Sequence, residues 1–253
     1  RQMRLTCPVT KLFFVLFFVI QANAQDRIIT TGVPFLLITP DARAAGMGEL
    51  GVATSVDAYA QQWNPAKYPF SRKDSGLGLS YTPYLRQIVD DIFLGNLTYF
   101  IKMNDRSAWA ASFKYFSYGN VQFNKMMSGT IIDQGSKRPN EMTLDLSYSL
   151  KLSEKFAMSV AGRFLRSDLK IPTEIDATSA NSLGVDISCF YEGSSFGMGS
   201  FDGLFRAGLN VSNIGPRLKY DEGGQMDFIP TNLRIGSGLD VIFDPSNILG
   251  VYL

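Results

Sequence analysis

Residues 141–152, EMTLDLSYSLKL, place Met142, Leu144, Leu146, Tyr148, Leu150 and Leu152 at every second position, with Thr143, Asp145, Ser147, Ser149 and Lys151 between them. Successive side chains of a strand point to opposite faces, so this period of two describes a half-buried strand and no helix. The habit recurs along the chain. In 155–166, Phe156, Met158, Val160 and Phe164 oppose Ser159, Ala161 and Arg163; in 182–192, Leu183, Val185, Ile187, Cys189 and Tyr191 oppose Asp186 and Ser188. Segment 204–212 sets Phe205, Ala207, Leu209 and Val211 against Arg206, Asn210 and Ser212, and 231–243 sets Leu233, Ile235, Leu239, Val241 and Phe243 against Arg234 and Asp240. Segments 92–103 and 107–118 alternate likewise, with Lys102 and Lys114 on polar faces and Trp109 on an apolar one, and 76–82 opens the series. These segments run well beyond the usual strand of about 5–6 residues. Their polar faces are mostly Ser, Thr, Gly and Asn with sparse charge of both signs, as in a hydrated lumen. A soluble sandwich would carry far more Lys and Glu there, which favours a barrel.

Composition agrees. Charged residues make up 19% of the chain and aromatic residues 13%, against about 25% charged in soluble domains. The net charge of +1 leaves no electrostatic footprint for nucleic acid. No helix-length apolar run follows the N-terminus, so a membrane crossing requires a closed barrel in which every backbone group is paired. Transmembrane strands need about 9–11 residues, with short and long connections alternating. The connections read long (84–91), short (104–106), long (119–140), short (153–155), long (167–181), medium (193–203), long (213–230) and short (244–247). On this pattern the short turns are periplasmic and the long loops, with Pro139, Pro172, Pro216 and Pro230, face outside. Residues 248–253 look like the start of a ninth strand; single-chain bacterial barrels close with an even number, so further C-terminal strands are expected. On the same reading Leu144, Leu146, Tyr148, Val185, Ile187 and Leu209 face lipid, and Asp145, Lys151, Asp186 and Arg206 face inward. Leu146→Arg is then expected to impair assembly and Ser147→Arg to be tolerated.

The first 24 residues form a signal peptide: Arg4 and Lys11 supply positive charge, Leu12 to Ile20 an apolar run, and Ala22-Asn23-Ala24 a cleavage site before Gln25. The run is too short for a membrane-spanning helix, and Cys7 precedes it, which argues against lipidation. Cys189 then remains as a lone cysteine with no disulfide partner, a small apolar residue on a strand face. Residues 25–72 do not alternate and are long enough to fold into the lumen as a plug; 73–253 would be the barrel.

Within that segment stand Asp41-Ala42-Arg43-Ala44-Ala45-Gly46-Met47-Gly48, Gly51-Val52-Ala53-Thr54, Asp57-Ala58 and Trp63-Asn64-Pro65-Ala66. This string resembles the leading motif of the FadL-like outer-membrane barrels. The longer stretch from Val33-Pro34-Phe35-Leu36-Leu37-Ile38 through Pro40 to Lys67 is more similar to the PorV family of the type IX secretion system in Bacteroidetes. Asn210-Val211-Ser212-Asn213-Ile214-Gly215-Pro216 and Asn232-Leu233-Arg234-Ile235-Gly236 fit that family too, so the resemblance covers the whole mature chain. It implies an all-β, transmembrane antiparallel barrel of about fourteen strands, eight or nine of them in this chain. It further implies a role in export: receiving cargo with a C-terminal signal domain from a SprA/Sov-type translocon and delivering it to a PorU-type sortase. Gly46, Gly48 and Gly51 are read either as points of close packing on the barrel wall or as ordinary turn glycines. Trp63-Asn64-Pro65 is read as closing a turn.

The sequence holds no histidine, so no Ser-His-Asp or Cys-His site and no His-containing metal site can be built from these residues. Glu192-Gly193-Ser194-Ser195 is not a nucleophile elbow, because no helix pattern follows it, and Gly197-x-Gly199 lacks the strand–helix setting of a phosphate loop. Lys114, Asp145, Arg163, Asp186 and Arg206 are read as ordinary lumen charges. No catalytic residue, cofactor or metal is expected. Two alternatives to the export role stay open: a FadL-like channel for hydrophobic small molecules, and the lipopolysaccharide deacylase activity described for PorV-like proteins. Partner contacts are expected on the long connections 119–140 and 213–230, where Val121, Phe123, Met126, Met127, Tyr220 and Phe228 are either offered to a partner or pack on one another to cap the barrel.

Overall fold

A computed structural model describes residues 31–127, 130–169, 179–220, 226–244 and 247–253; the signal-peptide reading of 1–24 lies outside them. The alternating segments form strands: β1 (Ser75–Pro83), β2 (Ile92–Asn104), β3 (Ser107–Tyr118), β4 (Val121–Met127), β5 (Thr130–Lys137), β6 (Asn140–Lys151), β7 (Phe156–Asp168), β8 (Ala180–Glu192), β9 (Phe196–Gly197), β10 (Asp202–Ile214), β11 (Asn232–Asp244) and β12 (Asn247–Tyr252). One antiparallel sheet runs in the order β1-β2-β3-β6-β7-β8-β10-β11-β12, with the short β9 beside β10. Every long strand pairs with its sequence neighbour in that path, as a meander requires; Leu146 stands opposite Gly162 and Leu209 opposite Ile235. Among the described residues β1 and β12 each pair on one side only.

The 119–140 connection departs from its reading as a loop. It contains the β4–β5 hairpin, which pairs with itself and leaves the main sheet untouched.

The two faces of the sheet are inverted relative to a soluble protein. Leu79, Leu144 and Ile235 are 75%, 57% and 70% exposed, whereas Asp145 and Asp186 are 3% exposed. Leu146, Tyr148, Val185 and Ile187 are exposed and Leu209 is half-buried; Arg206 is buried and Lys151 half-buried. Outward positions of β2 run from Phe93 to Met103, ten steps of about 3.3 Å; at a tilt of about 40° they cover about 25 Å, the height of a lipid-facing band. Aromatic pairs mark both ends of this face: Tyr81–Phe93 and Phe93–Tyr115 near the long connections, Trp109–Tyr148 and Tyr191–Phe205 near the short ones.

The inner face is packed. Residues 31–72 lie against it, organised by a 3-10 turn (Pro34–Leu37), two short helices α1 (Ala42–Gly46) and α2 (Ala60–Trp63), and a 3-10 helix (Pro65–Phe70). That last helix touches β2, β3, β6, β7 and β8. The serines read as lining a hydrated lumen are instead buried: Ser149 is 0% exposed, and Ser147 donates to Gln61 Oε1 at 2.6 Å. An arginine at 147 has no space, which corrects the expectation that Ser147→Arg is tolerated.

Candidate functional site

The inner wall carries two arginine clusters that stitch neighbouring strands. Arg163 on β7 donates through Nε to Asp145 on β6, through Nη2 to Asp186 on β8 (3.1 Å), and through Nη1 to Asn213 at the end of β10. Arg206 on β10 donates to Glu192 on β8 (2.8 Å) and to Asp240 on β11, and Tyr252 on β12 donates to Asp240 at 2.6 Å. Each guanidinium spreads its fork of donors over carboxylates of both flanking strands. Charges this deeply buried persist only when paired. Asp145, Asp186 and Asp240 are therefore engaged in holding the wall. Lys114 reaches inward to Gln62 Oε1 at 2.7 Å. The sequence-read lumen charges are thus structural contacts, four of them drawn into these two clusters.

The N-terminal segment supplies the complementary surface. Asp41 caps α1 by accepting from Ala44 N (2.6 Å) and also accepts from Trp63 Nε1 (2.8 Å), joining two ends of the segment. Asn64 accepts from Ala66 N and donates to Val52 O (3.0 Å) and to Cys189 O on β8 (2.9 Å), so Trp63-Asn64-Pro65 turns the chain and ties it to the wall. Ser149 donates to Pro65 O at 2.8 Å. Tyr68 stacks on Phe100 of β2 with ring centres 4.6 Å apart, and Phe70 meets Phe190 of β8 edge-on. Lys67, fully buried, donates to Gly51 O (2.7 Å) and Thr54 Oγ1 (3.2 Å), and its burial pushes the ammonium down to about 8.

Close packing on the wall is indeed achieved with glycine, but not with those singled out from the sequence. Gly46 and Gly48 face open space, and Gly51 lies under the Trp63 ring within the segment itself. The wall contributes the close approach: a Cβ on Gly208 of β10 would collide with Val52 O, and one on Gly236 of β11 with the Val52 side chain.

At the long-connection end the inner face changes character. Leu94, Phe116, Leu165 and Ala180 point inward there and meet Val33, Phe35 and Leu36 of the segment and Leu218 and Ile229 of the 213–230 connection, forming one buried apolar cluster. Gly32 N donates to Phe228 O at 3.0 Å, and Tyr220 OH donates to Ser167 Oγ at 3.1 Å beneath Glu141. The described part of the 213–230 connection thus folds back as a cap. The β4–β5 hairpin behaves in the opposite way: Val121, Met126, Ile131 and Ile132 are exposed, Phe123 is half-buried, and the Met127 side chain lies outside the described residues.

Cavities lie elsewhere. One of about 1010 Å³ is bounded by residues 37–49, Tyr59 and β1; another of about 800 Å³ lies between residues 55–58 and 70–77 and β10–β12. Among the described residues no group of three or more His, Cys, Asp or Glu is placed to hold a metal.

Comparison with curated proteins gives no match. The family model described as type IX secretion system protein PorV matches residues 21–253, nearly the whole length, and takes in the N-terminal segment, both arginine clusters and the capped end. With that match added to the inside-out sheet and the packed interior, the chain belongs to the PorV family of type IX secretion system proteins.

Proposed function

We propose that this chain is an outer-membrane barrel that binds secreted cargo bearing a C-terminal signal domain and passes it from a SprA/Sov-type translocon to a PorU-type sortase. In this reading residues 1–24 are a signal peptide, 25–72 a plug and 73–253 the barrel, with short turns in the periplasm and long connections outside. The protein acts by binding and without catalysis, cofactor or metal. The observation that carries it is the contrast between two of the long connections, 213–230 and 119–140. Residues 31–72 pack on the inner face, their last helix across β2, β3, β6, β7 and β8, and the long-connection end is sealed by the apolar cluster around Phe35, Phe116 and Leu218, an arrangement that favours partner binding over passage of a solute. Beside that seal the β4–β5 hairpin projects Met126 and Ile131, 73% and 67% exposed, and a free two-stranded hairpin with exposed apolar side chains gains stability when a partner covers it.

Replacing 119–140 with a short Gly-Ser turn tests the reading. Cargo is expected to stay in the periplasm with its C-terminal signal domain uncleaved, while uptake of fatty acids or other hydrophobic solutes is unchanged. Normal surface display together with lost uptake would assign the barrel to solute transport. Lipopolysaccharide lacking an acyl chain in the wild type only would assign it to the deacylase class.

A further inference from the structure

Among the described outward positions of the wall strands, one residue is basic: Arg166 on β7. The cross-strand registers stack that face into rows. Leu97, Phe113, Leu144, Phe164 and Leu183 stand side by side in one row, and Tyr115, Met142, Arg166 and Asn181 form the next row toward the long connections. Arg166 is exposed, and so is Asn181 directly opposite it on β8. From Phe156 to Arg166 the outward positions of β7 take ten steps of about 3.3 Å; at a tilt of about 40° they cover about 25 Å, the full height of a lipid-facing band. Phe156 lies opposite Tyr191 at the aromatic border near the short connections. Arg166 therefore stands at the other border, where hydrocarbon gives way to headgroups.

Its charge is not answered within the protein. Arg163, three positions earlier and facing inward, is held by Asp145 and Asp186, whereas Arg166 makes no ion pair among the described residues. The nearest outward carboxylate on its own strand, Asp168, is engaged by Lys137 at 2.8 Å. A guanidinium with its planar fork free matches a phosphate, which it can bind through two parallel hydrogen bonds. The Asn181 amide offers a further donor beside it. Below them the apolar row from Phe113 to Leu183 crosses four strands, three spacings of about 4.8 Å, and so is about 14 Å wide. That width suits a lipid carrying several acyl chains under one phosphorylated headgroup; the two chains of a phospholipid cover only part of it. We propose that Arg166, with Asn181, binds a phosphate of lipopolysaccharide, whose acyl chains lie along this row. The lipid is held intact, and no nucleophile is needed. The identity of the lipid rests on the reading that the long connections face outside.

Native mass spectrometry of the full chain in detergent, titrated with diphosphoryl lipid A, tests this. Lipid A stripped of its phosphates, and phosphatidylglycerol, are each expected to bind about tenfold more weakly. Arg166→Gln is expected to weaken binding of diphosphoryl lipid A about tenfold and Asn181→Ala severalfold, while Lys155→Gln, in the turn at the opposite end of β7, leaves it unchanged. Heat-modifiable migration shows that each variant is folded. Should Arg166→Gln not fold, Arg166→Lys keeps the charge, loses the fork and is expected to weaken binding severalfold. Unchanged binding in the folded Arg166 variant, or equal binding of dephosphorylated lipid A or of phosphatidylglycerol, overturns the proposal. Orientation is read separately, by a membrane-impermeant maleimide on cells carrying Met126→Cys with Cys189→Ser. Labelling of intact cells together with unchanged lipid A binding in Arg166→Gln refutes the lipid site alone. Labelling only after the envelope is opened refutes the outside reading, and lipopolysaccharide as the occupant falls with it.

Discussion

Removing Arg163 should be far more damaging than removing its whole cluster. Arg163→Met keeps the volume of the side chain but strands Asp145 and Asp186, both 3% exposed, without the cation that bridges them. Breaking a buried ion pair from one side costs about 3–5 kcal/mol, because the remaining charge is uncompensated. Two carboxylates are orphaned here, so the upper part of that range is expected. The triple variant Arg163→Met/Asp145→Asn/Asp186→Asn removes all the charge while keeping shape and most hydrogen-bonding capacity. Neutral replacement of buried charged networks is often close to cost-free, so the triple variant should lie within about 1–2 kcal/mol of wild type. Equilibrium urea unfolding in lipid vesicles, read by tryptophan fluorescence and heat-modifiable migration, separates these values. Equal stability of the single and triple variants would refute the assignment of Arg163 as a bridge between buried charges. A loss below about 1 kcal/mol in Arg163→Met would do the same, since that is the range of a solvated pair.

The wall glycines and the buried lysine supply further checks. Gly208→Ala drives a Cβ into Val52 O, whereas the outward Gly162 has nothing within 4 Å. Gly208→Ala should therefore cost about 1–3 kcal/mol, as overpacking does, and Gly162→Ala should be neutral or better, both read as urea midpoints. For Lys67 the sign follows from burial. Its folded value of about 8 lies below the ordinary 10.5, so the unfolded chain binds more protons between these pH values and stability must rise with pH across that window. The rise should be about 3 kcal/mol from pH 8 to 10.5, seen as the difference between wild type and Lys67→Met, which cancels the tyrosines that titrate in both. A pH profile identical in the two proteins would show that Lys67 is solvated.

Much of the wall was legible because a strand has a strict period of two: once Leu144 is outward, Asp145 must be inward, and the same holds from β2 to β11. What the inner face would touch was not written in that period. A serine facing water and a serine facing Gln61 or Pro65 look alike in sequence, because each needs only one hydrogen-bond partner and short side chains suit both settings. The glycines behaved similarly. Gly208 sits in an ordinary strand, and only the approach of Val52, more than 150 positions away, makes its missing Cβ necessary.

The apolar cap left a faint trace that alternation alone could have exposed. Phe93-Leu94, Tyr115-Phe116 and Phe164-Leu165 are apolar doublets at the long-connection ends of their strands, and a doublet places one apolar side chain on each face. The sequence by itself determined strands, their two faces and the N-terminal motif, since these depend on neighbours one or two positions apart. Only the tertiary structure decided that the inner face is packed, that Arg163 grips Asn213, and that the described part of the 213–230 connection caps its long-connection end while the β4–β5 hairpin projects. Those outcomes depend on which distant surfaces meet, and contact between positions 33, 116 and 218 follows from the curl of the whole sheet around its N-terminal segment.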